Sequence, residues 1–254
     1  MERDPGAALI SLRRMGAAVF DFLLPPACAV CAGLMGDRDS GLVCGRCWSR
    51  LAMLPAPRCD RCGHPVPRAR CAWCELLPPY VRAVRSVCWM HRGTGGEVVH
   101  ALKYGGWHAL GAALGERMAR LTWPADVLDE RTALIPVPLS DGRMRERGYN
   151  QSERIAAALS ISWRIPVWSD VLVRSRVTQT QTRLTPEERL ANVSGAFRAS
   201  ATSGRALRGA HLVLVDDVVT TAATLNACAA ALFAGGARIL SYVTFGRAPA
   251  AGDR

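Results

Sequence analysis

The chain has 254 residues, of which 50% are hydrophobic, and a mean hydropathy of +0.09. These values exclude a disordered polypeptide and allow one medium-sized domain beside a smaller one. Thirty-two basic and 21 acidic residues give a formal net charge of +11, and Lys103 is the only lysine. Such a surplus predicts a polyanionic partner, such as a phosphate compound or a nucleic acid. The uncharged run 218–237 is rich in Ala, Thr and Gly, so we do not interpret it as a membrane span.

The first apolar stretch, residues 6–24, ends before Pro25 and Pro26. Its apolar part is interrupted by Asp21, and its two arginines lie in mid-segment, which is unlike a secretory signal. We interpret residues 1–25 as an amphipathic helix that docks on the rest of the protein. A helix lying on a membrane surface is the alternative.

Eight of the ten cysteines form four CxxC pairs: Cys28/Cys31, Cys44/Cys47, Cys59/Cys62 and Cys71/Cys74. A CxxC turn directs two sulfurs at one tetrahedral ion, and two turns complete a four-cysteine zinc site. We therefore predict two structural Zn²⁺ ions in a double zinc ribbon over residues 26–78. Pairing neighbouring turns gives two similar units, and interleaved pairing also fits the spacing.

A disulfide framework is the rival interpretation of these cysteines. It fits less well, because no secretory signal is evident and Cys88 and Cys228 stand alone in apolar segments. We predict that these two are small core residues. His64 follows the third CxxC turn, and we expect it to be a surface residue rather than a ligand.

After Pro78 and Pro79, predicted strands alternate with predicted helices. The strands are 84–90, 132–137, 167–173, 211–215 and 238–245, and the helices are 97–102, 110–121, 151–159 and 224–233. A capping box at 185–188 opens a further helix. We predict that residues 79–254 form an α/β domain with a mainly parallel sheet and helices on both faces. Ligands of such sheets bind beyond the carboxyl ends of the strands.

The segment LVLVDDVVTTAATL, residues 212–225, carries the clearest chemistry. An apolar strand ends in Asp216 and Asp217, and a loop of small and hydroxylated residues leads into a helix. Two acids at a strand end can hold a ribose diol or its Mg²⁺. Backbone N–H groups at a helix N-terminus bind phosphate. Neighbouring acid and phosphate sites predict a phosphorylated sugar as the ligand.

This segment resembles the phosphoribosyl-pyrophosphate (PRPP) motif of type I phosphoribosyltransferases. With the cysteine pairs ahead of it, the chain resembles the ComF family of bacterial proteins, which are associated with competence and DNA uptake. Three further stretches support the resemblance, which spans roughly residues 25–247: ALKYGG at 101–106, IPVPLSDGRMRERGYNQSERIA at 135–156 and QTQTRLTPEERLANVSGAF at 179–197. The resemblance implies a type I phosphoribosyltransferase-like fold.

The resemblance also implies residue roles. Asp216 and Asp217 would bind the ribose hydroxyls of Mg²⁺-PRPP. The 5-phosphate cradle would consist of Thr220, Thr221, Ala222, Ala223 and Thr224. A pyrophosphate loop would follow Pro136 and Val137. Its positive charge would come from Arg143, Arg145 and Arg147. Residues 179–189 would form a flexible loop that closes over the site.

One residue departs from the family motif, which usually reads TTGAT where this chain reads TTAAT. If residue 222 has a positive φ, its Ala costs on the order of 1 kcal/mol. If glycine serves the close approach of a phosphate, the Cβ clashes with the ligand instead. If φ is ordinary, the change is nearly harmless.

Three classes of function follow from these patterns. The first is a phosphoribosyltransferase, for which the sequence indicates neither a general base nor an acceptor. The second is an accessory protein that binds single-stranded DNA on its basic face and keeps the PRPP-like cavity as a sensor or a vestige. The third is an adaptor that docks a partner, such as a DNA-uptake protein, on its zinc ribbon. Thiolate-bound zinc and PRPP both favour a cytoplasmic protein.

Overall fold

The computed structural model describes residues 26–36, 41–65, 71–175, 195–201 and 203–249. The helix predicted for residues 1–25, the capping box at 185–188 and the closing loop at 179–189 lie outside these residues. The chain divides into two compact units, Met1–Ser49 and Arg50–Arg254. This division falls inside the predicted ribbon segment 26–78. None of the helices in the described ranges has the length and apolar composition needed to cross a bilayer.

The described residues of the smaller unit, 26–36 and 41–49, contain little regular structure. They contain the helix α1 (Gly45–Ser49) and an antiparallel bridge between Ala27 and Leu34. Cys28, Val43 and Cys47 are the buried hydrophobic residues of this unit in the described ranges.

The larger unit is built on a five-stranded sheet. Its strands and those of a second, two-stranded sheet are β1 (Leu51–Met53), β2 (Val81–Gly93), β3 (Arg131–Pro136), β4 (Leu172–Arg174), β5 (Phe197–Ala199), β6 (His211–Val219) and β7 (Ile239–Arg247). The order in the main sheet is β1-β2-β7-β6-β3, with all pairs parallel except β1 with β2. Strands β4 and β5 form the separate antiparallel pair. The predicted α/β fold with a mainly parallel sheet is confirmed.

Helices cover both faces of the main sheet, as predicted. The remaining helices are α2 (Ala72–Glu75), α3 (Gly95–Tyr104), α4 (Leu110–Ala119), α5 (Ala125–Glu130), α6 (Asp141–Arg147), α7 (Gln151–Trp163) and α8 (Ala223–Ala234). Helices α3, α4 and α7 pack together on one face, and α8 packs on the other beside β4 and β5. The first five residues of β6 are all buried, because a strand covered on both faces has no solvent side.

Helices α4 and α7 approach closely, which fixes the position of α7. A Cβ added at Gly111 would lie 2.5 Å from the Cβ of Arg154, and one added at Gly115 would lie 2.7 Å from the Cβ of Ala158. Only glycine fits at these two positions without moving the neighbouring helix. The first turn of α7 is thereby held beside the carboxyl end of β6.

Two predicted elements differ from the structure. The strand predicted for 167–173 is wrong over most of its length, because Val167 makes only an isolated bridge to Leu134. The chain then bends, and β4 pairs outside the main sheet. Strand β6 does not end before the acid pair, because its pairing with β7 continues through Asp216 to Val219.

Candidate functional site

Two four-cysteine clusters are present in the described residues. They are Cys28, Cys31, Cys44 and Cys47, and Cys59, Cys62, Cys71 and Cys74, with the sulfurs of each cluster within 4.8 Å of one another. Tetrahedral zinc with Zn–S bonds of about 2.3 Å separates its sulfurs by roughly 3.8 Å. The Cys31–Cys44 sulfur distance is 3.9 Å and the Cys59–Cys74 distance is 3.4 Å. Both clusters therefore fit structural zinc. Each cluster combines two CxxC turns that are neighbours in the sequence, so the sequential pairing is found and the interleaved pairing is not.

The structure also bears on three further predictions, which concern disulfides, the lone cysteines Cys88 and Cys228, and His64. All ten cysteines are free thiols, so no disulfide framework is formed. Cys88 and Cys228 are fully buried, as predicted. The prediction that His64 is a surface residue is wrong, because it is 8% exposed. Its ring packs against Trp73 at 6.1 Å and it is not one of the clustered ligands.

The second cluster is built into the core of the larger unit. Cys62 and Trp73 belong to the same buried cluster as the strand residues Val81 and Val84. The guanidinium of Arg61, between two of the ligands, donates hydrogen bonds to four backbone carbonyls: Cys74 at 3.3 Å, Leu77 at 3.1 Å, Pro78 at 2.7 Å and Val81 at 3.1 Å. The knuckle and the start of β2 thus form one hydrogen-bonded unit.

A cavity of about 860 Å³ lies at the carboxyl ends of β3 and β6. Its lining comes from the loop after β3, the end of β6, the first turn of α8 and the helices α3, α6 and α7. This is the edge at which parallel α/β sheets bind their ligands. The predicted site residues in its lining are Val137, Arg143, Arg147, Asp216, Asp217, Thr220, Ala222, Ala223 and Thr224.

The two acids on the cavity floor have different partners. Asp217 is 3% exposed, forms an ion pair with the Lys103 ammonium and accepts a hydrogen bond from Gln151 Nε2 at 3.1 Å. Asp216 Oδ1 accepts from the Ser152 hydroxyl at 3.0 Å and from the Asp217 backbone N–H at 2.9 Å. Helices α3 and α7 therefore place the partners of both carboxylates.

Because of these partners, the carboxyl groups of Asp216 and Asp217 have different pKa values. Burial and the neighbouring charge of Asp217 raise the pKa of Asp216 to about 7. Burial also opposes ionisation of Asp217, but the Lys103 ammonium outweighs it and lowers the pKa of Asp217 below its ordinary value. The floor consequently carries one fixed negative charge and one carboxyl that titrates near neutrality.

The loop between β6 and α8 holds Ala222 in a conformation with positive φ. This residue has φ +60° and ψ +4°, in the left-handed region, and it is 3% exposed at the N-cap of α8. Left-handed geometry costs an L-residue about 1–2 kcal/mol, so glycine is the residue that this position favours. Of the predicted cradle, Thr221 does not line the cavity, and its buried hydroxyl has no partner in the described chain.

The three predicted arginines lie on helix α6 and not on a loop. Gly148, with φ +76°, ends this helix, and none of its residues is buried. Arg143 and Arg147 line the cavity, whereas Arg145 is exposed and does not. The loop itself is residues 137–140, and it is held by a 3.1 Å hydrogen bond from Asn150 Nδ2 to the Val137 carbonyl.

Several cavity residues were not predicted from the sequence. Gln151 follows the N-cap Asn150 in the first turn of α7, where a helix was predicted but no ligand role. The next residue, Ser152, is fully buried and contacts Asp216 without lining the cavity. Tyr104 lies under the Arg147 guanidinium, with 5.4 Å between guanidinium carbon and ring centroid, and Arg174 reaches the cavity from β4. The pattern of the sequence carries no signal for the last two, because their position depends on how distant elements pack.

Comparison with known proteins agrees with this architecture. Residues 19–88 match the family model "Double zinc ribbon domain". DNA utilization protein YhgH of Escherichia coli O6:H1 is 32% identical over 207 residues, which are 77% of this chain and 86% of that protein. Competence protein ComFC of Bacillus subtilis is 28% identical over 76% of this chain and 79% of its own. Competence protein F of Haemophilus influenzae is 39% identical over 37% of this chain and 41% of its own. With a double zinc ribbon, an α/β unit and these relatives, the chain belongs to the ComF family.

Proposed function

We propose that the cavity binds Mg²⁺-PRPP and that the chain serves DNA utilization or competence as a phosphoribosyltransferase-like protein. The observation that carries the proposal is one cavity lined by Asp216, Asp217, the first turn of α8 and two arginines of α6, Arg143 and Arg147. PRPP carries a ribose diol, a 5-phosphate and a pyrophosphate. The two carboxylates would bind the diol, the first turn of α8 would bind the 5-phosphate, and the arginines would bind the pyrophosphate. Thiolate-bound zinc and such a ligand are both typical of the cytoplasm, where we place the protein.

The acid pair suits the ribose and its metal. Asp217 is held ionised by Lys103 and is an acceptor for a hydroxyl. Asp216 accepts the hydrogen bonds from Ser152 and from the Asp217 backbone at Oδ1, and its carboxyl group also lies against that of Asp217. Magnesium takes oxygen ligands from one or two carboxylates together with phosphate and water. Asp216 would hold the ion, which supplies charge neutralisation for a pyrophosphate group.

Positive charge suits the two phosphate ends of the ligand. The N-terminus of α8 offers backbone N–H groups and the favourable end of the helix dipole, with Thr224 in its first turn. Arg143, Arg147 and Lys103 line the same cavity. Arginine binds phosphate oxygens through two parallel hydrogen bonds, which fixes the orientation of a pyrophosphate.

A transferase reaction would break the bond between the ribose anomeric carbon and the pyrophosphate oxygen. The bonding electrons leave with pyrophosphate, and the lone pair of an incoming nucleophile forms the new bond to carbon. Arginine side chains that bind the leaving group more strongly as its charge grows would lower the barrier.

A single-stranded DNA-binding protein is the second candidate. Helix α6 presents three arginines, Arg145 among them, and has no buried residue. The printed names of the relatives refer to DNA utilization and competence. For binding to DNA phosphates, the logarithm of the binding constant decreases linearly with the logarithm of the salt concentration.

Ligand-induced stabilisation tests the proposal. A ligand at 100 times its Kd raises the unfolding free energy by about 2.7 kcal/mol. We expect this gain for Mg²⁺-PRPP, with smaller gains for ribose 5-phosphate and for pyrophosphate at equal concentration, measured by thermal unfolding. Equal shifts for all three would contradict a site built for PRPP. No shift, together with salt-dependent binding of single-stranded DNA, would favour the second candidate.

The affinity for Mg²⁺-PRPP is expected to rise with pH. Asp216 ionises at about pH 7 in the folded protein, instead of near its ordinary value of 3.8. Ligand binding that needs its carboxylate therefore strengthens up to about tenfold per pH unit below 7 and levels off above. The folded state takes up this proton between the two pKa values, so its stability decreases as pH rises through the same window. Titrations at about pH 6, 7 and 8 measure the first effect.

The control for this pH dependence is Asp216→Asn. The ionisable groups of the ligand itself take up and release protons in the same way in both experiments. The difference between the two plots of affinity against pH therefore reports the ionisation of Asp216 alone. A wild-type profile that runs parallel to that of the variant would contradict a role for this ionisation.

Ala222→Gly is expected to raise the affinity for Mg²⁺-PRPP by several-fold. The change removes a Cβ from the cavity lining and relieves left-handed strain of about 1 kcal/mol, which the lost methyl burial largely offsets in stability. The matched control is Ala223→Gly, the first residue of α8, which also lines the cavity. It should destabilise the protein by about 1 kcal/mol without a gain in affinity. Equal effects of the two changes on ligand affinity would contradict this account.

A further inference from the structure

Arg247 is a buried charge without an acidic partner. It is the last residue of β7, is 0% exposed, and has no carboxylate in ion-pair contact among the described residues. Its Nη2 donates a 2.6 Å hydrogen bond to the Cys62 carbonyl, and its Nε lies 3.4 Å from the Ser86 hydroxyl. The Nη1 atom is buried and has no hydrogen-bond partner within the part of the chain that the structure describes. Burying an uncompensated cation costs several kcal/mol, so its presence needs an explanation.

The surroundings of Arg247 belong to the second zinc cluster. Its guanidinium carbon lies 4.7 Å from the ring centroid of Trp73, between the ligands Cys71 and Cys74. Cys62, whose carbonyl accepts the hydrogen bond from Nη2, is itself one of the four clustered cysteines. An arginine guanidinium keeps its positive charge at neutral pH.

A zinc ion with four thiolates carries a net charge of −2, which can compensate buried cations nearby. Arg85, which is 8% exposed, also lies near this cluster, because it donates to the carbonyl of Asp60, next to the ligand Cys59, at 2.9 Å. Arg85 has a carboxylate partner, Asp60 Oδ1 at 3.8 Å, whereas Arg247 has none among the described residues.

Strand β7 connects this centre to the cavity. Arg247 pairs in register with Val219 of β6, and the next backbone N–H, that of Ala248, donates to the Val219 carbonyl at 2.8 Å. Val219 and Ala248 both line the cavity. Arg247 is therefore paired with one cavity-lining residue and covalently bonded to another, so a displacement of its backbone would also displace the cavity wall.

We propose that Arg247 is the counter-charge of the second zinc–thiolate centre, so that zinc retention at Cys59, Cys62, Cys71 and Cys74 is coupled to the order of the cavity wall. Arg247 acts as a positioning residue and touches neither the metal nor the ligand. The coupling works in both directions, since two sites that share one structural element affect each other equally. It holds for any ligand of the cavity and does not depend on PRPP.

Zinc competition with a chromogenic chelator tests the counter-charge role of Arg247 in the full-length protein. Arg247→Met removes the charge and should weaken zinc retention at the second centre about 10- to 100-fold, the range found for groups beyond the metal ligands. Arg247→Lys keeps the charge and should retain most of the affinity. The first centre and the exposed control Arg208→Met should be unaffected. Equal losses in the Met and Lys variants, or no loss in either, would overturn the proposal.

Urea unfolding separates a charge effect from simple packing. In the zinc-loaded protein, Arg247→Met should lower the unfolding midpoint, because a favourable charge pair is lost. After zinc removal, the same change should leave the midpoint unchanged or raise it, because the wild-type cation is then uncompensated. A loss of the same size in both states would assign Arg247 to packing alone. If the stripped protein gives no cooperative transition, the zinc competition decides.

Discussion

Asp217→Asn is expected to lower the affinity for Mg²⁺-PRPP about 10- to 100-fold. A hydrogen bond to a charged group contributes about 1.5–3 kcal/mol, and each 1.4 kcal/mol is a factor of ten in affinity. This carboxylate is almost completely buried on the cavity floor and is held ionised by Lys103. The amide removes both the acceptor charge for a ribose hydroxyl and the partner of the lysine. Equilibrium dialysis with labelled PRPP measures the change.

The control is Asp129→Asn, which removes an exposed carboxylate on α5 without altering the cavity. It should bind as the wild type does. Thermal unfolding of each variant shows whether the buried substitution leaves the fold intact. Unchanged affinity in a folded Asp217→Asn protein would remove the acid pair from ligand binding.

Loss of the second zinc centre is expected to destabilise the larger unit by at least about 3 kcal/mol. Cys62 and Trp73 are part of its hydrophobic core, and Arg61 ties the knuckle to four carbonyls of the following segment. Cys59→Ser removes one thiolate and with it most of the zinc affinity. Urea unfolding with zinc analysis of the purified protein measures the effect.

Cys31→Ser is the matched change in the first centre. Cys31 is exposed and lies in the unit Met1–Ser49, so its loss should release one zinc and leave unfolding of the larger unit nearly unchanged. An equal loss of stability in the two cysteine variants would contradict the unequal roles assigned to the two centres.

The metal ligands and the fold class could be predicted because their signals are local. CxxC spacing determines which sulfurs can reach one ion, and the structure confirms both sets of four. Alternating strands and helices likewise indicated the parallel sheet. The acid pair was identified by the strand before it and the small residues after it, although β6 continues to Val219.

Other features depend on contacts between distant segments. Lys103 stood out as the single lysine, but its ion pair with Asp217 requires the end of α3 to lie beside β6. The sequence predicts a loop where α6 lies, because a helix without buried residues lacks an apolar period. Nothing in the sequence around Arg247 indicates a buried charge, since only the sheet order brings β7 beside the second zinc knuckle.

Calorimetric titration of Mg²⁺-PRPP into the zinc-loaded protein tests the central claim most directly. The measurement is made at about pH 8, where Asp216 is ionised, beside the double variant with Asp216→Asn and Asp217→Asn. The account predicts one saturable site per chain in the wild type and none in the double variant. Absence of heat at millimolar PRPP, or equal binding by both proteins, would contradict it.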